Sequence, residues 1–178
     1  MAFNLPAYDV EQFSFGPSVI YIGPVGHTPT VDVGAVRAGM NFAVSRTVVD
    51  INQGNPATLI HSFVTAESGV LTFTGLQWNL ERFAEALGMT PTDNMTELGL
   101  GGTLYLQPFS LKVVHFTPAG VTYELRIWKA RSSGALTLNF TDDPHEFSYT
   151  FNALVAVTDW AGQELPPGFQ LFKLIKMI

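Results

Sequence analysis

Strict alternation of apolar and polar residues, recurring along much of the chain, is the feature that most limits its fold. Val121, Tyr123, Leu125 and Ile127 interleave with Thr122, Glu124, Arg126 and Trp128. A period of two sends successive side chains to opposite faces of an extended strand. Phe147, Tyr149, Phe151, Ala153 and Val155 alternate in the same way with Ser148, Thr150 and Asn152. Leu136, Leu138 and Phe140 alternate with Thr137 and Asn139, and Met40, Phe42 and Val44 with Asn41, Ala43 and Ser45. Two more strands are predicted over residues 58–65 and 70–74, joined by a turn at Glu67-Ser68-Gly69. Another covers 103–116 and is broken or edged at Pro108, because proline cannot donate to a ladder. The period slips near Val48 and Val49, which predicts a bulge, and Pro118-Ala119-Gly120 predicts a hairpin turn.

One helix is predicted, over residues 80–87. Asn79 is placed to cap its N-terminus, Glu81 sits in the first turn and Gly88 ends it. Leu80, Phe83, Ala84 and Leu87 form an apolar stripe at helical spacing, suited to packing on a sheet. The expected fold is mainly β: a β-sandwich or partial barrel of antiparallel strands with one flanking α-helix. At 178 residues a single domain is expected over 1–178.

Composition narrows the function. Charged residues make up 13% of the chain, about half the usual share, while 47% is hydrophobic and phenylalanine occurs 14 times. So few charges are poorly matched to covering a monomer's surface, which favours burial against further copies. A net charge of −6 argues against nucleic-acid binding, which needs basic groups to displace counterions. The absence of cysteine excludes disulfides, a thiol nucleophile and thiolate metal ligands. The start of the sequence has no basic and apolar signal pattern, and no run approaches the about 20 apolar residues of a membrane span. Synthesis in the cytoplasm and no membrane association are expected.

No catalytic constellation emerges, and no enzyme activity, cofactor or metal is expected. His27, His61, His115 and His145 are far apart, with no partner at metal-ligand spacing. Gly99-Leu100-Gly101-Gly102 precedes a predicted strand rather than opening a helix, unlike a dinucleotide fingerprint. Asp142-Asp143-Pro144 reads as a solvated turn. Trp78, Trp128 and Trp160 would serve a sugar-stacking platform if exposed, or cap the edges of a core; Trp128 shares the polar-side parity of its strand.

Two further patterns point to self-assembly. Several strands carry faces of small polar residues rather than dense charge, among them Thr122, Glu124, Arg126, Asn139 and Asn152. Such a face suits a wet bore as well as an ordinary solvated surface. The segment 169–178 is too apolar to stand in water, so it must dock on its own core or on a neighbour.

The run Phe15-Gly16-Pro17-Ser18-Val19-Ile20-Tyr21-Ile22-Gly23, followed by Thr28-Pro29-Thr30-Val31-Asp32-Val33-Gly34 and a long strand, resembles the beginning of major tail tube proteins of long-tailed bacteriophages. The resemblance extends over roughly the first half of the chain, to the helix near Glu85. It implies hexameric rings, stacked head to tail into a tube that conducts the genome, with strands of each subunit contributing to a shared inner barrel. It also implies contact regions in the N-terminal arm (1–14, with Phe3, Leu5 and Tyr8), the long polar loop (Asn52, Gln53, Asn55 and Pro56) and the C-terminal end (165–178, with Phe169, Phe172, Leu174 and Ile175). Partners would be sister copies, the tape measure, tail terminator and baseplate or tip proteins, with DNA passing through unbound. A contractile-tail or secretion-machine tube, another phage structural protein such as a decoration or adaptor, and a carbohydrate-binding β-sandwich are the alternatives.

Overall fold

The computed structural model describes residues 17–37, 39–102, 105–140 and 142–177. Its named strands are β1 (Ser18–Pro24), β2 (Val31–Asp32), β3 (Asn41–Gln53), β4 (Thr58–Gly75), β5 (Pro108–Phe116), β6 (Thr122–Ser132), β7 (Phe147–Ala153) and β8 (Lys173–Met177). The helix α1 (Leu80–Ala86) follows β4. Strands and pairings are antiparallel throughout, so the molecule is mainly β with one short helix.

The sheet runs β2-β1-β5-β6-β7-β4-β3 and does not close. β6 is its branch point. One edge of β6 pairs with β5; the other pairs with β8 over Thr122 to Arg126 and with β7 over Ala130 to Ser132. The main core gathers β-strand residues from both sides of that branch, including Ile20, Ile22, Leu111, Ile127, Phe73 and Phe151, all at most 5% exposed.

A bulge in β6 decides what its alternation buries. Phe109 faces Ala130 and Leu111 faces Ile127, so β6 fits one extra residue opposite Ser110. Ser110 Oγ donates to the Trp128 carbonyl at 2.9 Å and satisfies a group that the disturbed ladder frees. Beyond the bulge the parity flips: Ile127 and Ala130 both enter the main core. Trp128 packs on the other side with Ala156, Leu165 and Trp160.

The helix forms as its sequence predicts. Asn79 Oδ1 accepts from the backbone N–H groups of Glu81 and Arg82 at 2.9 and 3.2 Å. Gly88 takes φ +72 at the C-terminal end, a conformation that side chains with a Cβ resist. Phe83 and Ala84 are fully buried and Leu80 packs against the core. The Thr117–Val121 turn also closes as expected, with Thr117 N and Oγ1 both donating to the Val121 carbonyl.

Three local expectations are corrected. Residues 58–65 and 70–74 are one continuous strand, with Glu67, Ser68 and Gly69 in the ladder opposite Arg46, Ser45 and Val44. Gly69 serves a close approach there: a Cβ would lie 2.9 Å from the Phe42 ring. The long polar loop shrinks to a four-residue turn at 54–57, because β3 continues through Asn52 and Gln53. Leu136, Leu138 and Phe140 form no strand; β7, the next strand in the chain, already has β4 and β6 beside it.

Candidate assembly surface

The β3–β4 hairpin outruns the rest of the sheet. β7 pairs with β4 only from Val70 to Gly75, so among the described residues Thr58 to Gly69 has β3 as its single neighbour. At about 3.3 Å per residue this leaves a two-stranded ribbon roughly 40 Å long. Register slips leave Thr65 and Ile60 as extra residues in β4, and the first of these bulges lies opposite the predicted slip at Val48. Cross-strand pairs hold the ribbon: Ser45 to Ser68 at 2.7 Å, Ser62 to Asp50 at 2.6 Å, and Arg46 Nε to Glu67 at 2.7 Å.

Both ribbon faces carry apolar groups. Val48, Val64 and Leu59 share one face; Val49, Phe63 and Ile51 share the other, with His61 edge-on to Phe63 at 4.4 Å. Together with Val44 and Ile60 they are each about half exposed, 46–55%. A hairpin alone is marginally stable in water, and among the described residues nothing pairs with the outer edge of β3. The polar contact residues expected from sequence lie at its far end: Asn52 and Gln53 finish β3, and Asn55 and Pro56 are in the exposed turn.

At the ribbon base lies a groove of about 850 Å³. One wall is ribbon, including Val44, Arg46 and Val64; the other is Val155, Leu171 and Phe172. The Phe42 and Phe172 rings meet edge-on at 5.0 Å and join the two walls. The C-terminal segment is anchored within its own subunit. β8 pairs with β6, and Trp128 Nε1 donates to the Phe169 carbonyl at 2.7 Å. Its side chains remain open: Leu174 is 61% and Phe169 43% exposed, while Ile175 and Phe172 are half-buried. Phe3, Leu5 and Tyr8 lie outside the described residues.

The residues expected to line a bore do not form one uniform surface. Thr122, Glu124 and Arg126 share a face of β6, but Glu124 is buried and ion-paired with Arg126, whose guanidinium lies over the Trp160 ring at 5.4 Å. Glu124 and Arg126, but not Thr122, border a small cleft of about 220 Å³ with Lys112 and Asp159. Asn152 is half-buried on β7, and Asn139 is exposed outside the strands. Trp128 is 3% exposed and Trp78 lies elsewhere, against Phe83 and Phe147. Burial thus removes Trp128 as the exposed ring on which the carbohydrate alternative depends.

Sequence reasoning missed the buried pair Arg82 and Glu85 on α1. Arg82 Nη1 donates to both Glu85 oxygens at 2.8 and 2.6 Å. Burial pushes the Glu85 carboxyl up to about 7; Arg82 pulls it down by less, and Glu81 adds to the rise. Burial likewise raises Tyr149 to about 12. Their i, i+3 spacing was visible, but that spacing is equally common on solvated faces. Among the described residues, no three His, Asp or Glu side chains converge as metal ligands, and no helix is long and apolar enough to cross a membrane. The chain matches no protein-family model, and no curated protein is significantly similar to it.

Proposed function

We propose that this protein is a structural, non-enzymatic subunit of a bacteriophage tail tube, forming hexameric rings that stack into the channel for genome delivery. The single observation that carries the reading is the β3–β4 ribbon, apolar on both faces and, among the described residues, unpaired along its outer edge. A free-standing subunit gains nothing from such an element. A neighbouring copy that pairs with β3 satisfies its backbone and covers its side chains.

The margins left unpaired among the described residues differ from one another: β3 at one end of the sheet, the short β2 at the other, and the outer side of β8. Joining unlike margins gives a head-to-tail contact, which generates a ring when the rotation closes. A barrel shared among several subunits has too many strands to fill with side chains and is hollow. The net charge of −6 suits a conduit, because a wall that repels phosphate lets DNA slide.

Magnitudes favour rings over isolated pairs. Burying the exposed half of each ribbon side chain contributes roughly 1 kcal/mol. The eight together are comparable with the about 4–15 kcal/mol lost on immobilising a partner. One contact is therefore weak, and closure, which adds the last contact without a further association cost, stabilises the assembly. The same balance keeps dilute subunits apart in the host until an initiating tail complex presents a first ring.

Negative-stain microscopy of the concentrated protein tests the reading. Hollow six-fold rings, with tubes growing slowly or after seeding, are expected. Single-subunit particles at every concentration would overturn it, and rapid spontaneous tubes at low concentration would overturn the need for initiation.

A further inference from the structure

Helix α1 turns its charged pair inward. Arg82 is 6% exposed and Glu85 5%. Of the Arg82 nitrogens, Nη1 is taken by Glu85 and Nη2 reaches Glu81 Oε2 at 3.5 Å. The third, Nε, has no partner and is closed off from solvent. A buried N–H left in this way costs about 1–3 kcal/mol, and more on a charged group.

A cavity of about 10 Å³ lies against the same side chains. Arg82, Glu85 and Tyr149 supply its polar lining, and Ile22, Phe73 and Phe151 part of its apolar wall. That volume is about one water's requirement, and the lining, though mostly apolar, includes Tyr149 and Arg82, whose Nε lacks a partner. A metal ion is disfavoured by the guanidinium charge, and any larger molecule by size. We propose that this cavity is a binding site for one structural water, which accepts the Arg82 Nε–H and bridges α1 to the Tyr149 hydroxyl on β7.

The bridge completes the donor set of a buried guanidinium and fastens the helix to the sheet through a polar contact as well as through Phe83. It is independent of the assembly surface. A high-resolution crystal structure of the full chain, beside that of Tyr149→Phe, tests it. The wild type should show one ordered water within hydrogen-bond distance of Arg82 Nε, and the variant should lose it and melt a few degrees lower. A dry cavity in the wild type, Arg82 Nε bonded directly to a protein acceptor, or a water unchanged in Tyr149→Phe would overturn the bridge. Oxygen-17 relaxation dispersion gives a crystal-free readout: one fewer long-lived water in the variant supports the bridge, and equal numbers overturn it.

Discussion

Glu85 is the residue whose chemistry is set most completely by its surroundings. Its ordinary value of 4.5 is raised to about 7, chiefly because burial penalises the charged form. Between these values the folded protein holds a proton that the unfolded chain releases. Glu85 therefore favours folding most at low pH, and its contribution falls as pH rises through that window and is constant above it. The displacement corresponds to at most about 3 kcal/mol. Urea unfolding at pH 5 and pH 8 should show this loss in the wild type relative to Glu85→Gln, which removes the titration. Arg82→Met alone should cost about 3–5 kcal/mol, since it strands Glu85, while Arg82→Met with Glu85→Leu should recover most of it. Gly69 is a second residue fixed by its neighbours. Gly69→Val drives a branched side chain into the Phe42 ring and should cost about 1–3 kcal/mol by the same measurement.

The ribbon is the element that separates subunit stability from assembly. Phe63 and Ile51 are half exposed and lie on the part of the hairpin beyond the reach of β7. Phe63→Asp and Ile51→Asp should leave unfolding within about 0.5 kcal/mol of wild type while preventing association, read by light scattering against concentration. How far the elements were legible follows from their physics. α1 was readable because cap, stripe and terminal glycine agree. β6 and β7 were readable because one face meets a core. The length of β4 was not, because Gly69 looks like turn punctuation when the Phe42 ring that requires it lies far away in sequence. Leu136 to Phe140 carried a strand's alternation without a strand's partner, and alternation alone cannot supply a ladder. Burial of Glu124 escaped the sequence, whereas the core-edge reading of Trp128 fits its packing with Trp160 and Leu165 beyond the β6 bulge.

For the whole molecule, the structure reads as one branched sheet with a sound core and an unfinished margin. Its C-terminal strand completes part of β6 internally, yet leaves Leu174 and Met177 in water. Beyond the groove at its base, its ribbon has no sheet neighbour other than its own two strands among the described residues. Sedimentation velocity over a wide concentration range, with Phe63→Asp run beside the wild type, tests whether the ribbon drives ring formation. The wild type should shift from single subunits to a discrete ring-sized species, absent in the variant. A wild-type protein that sediments as a single subunit throughout, or an assembly that Phe63→Asp leaves untouched, would contradict this role of the ribbon.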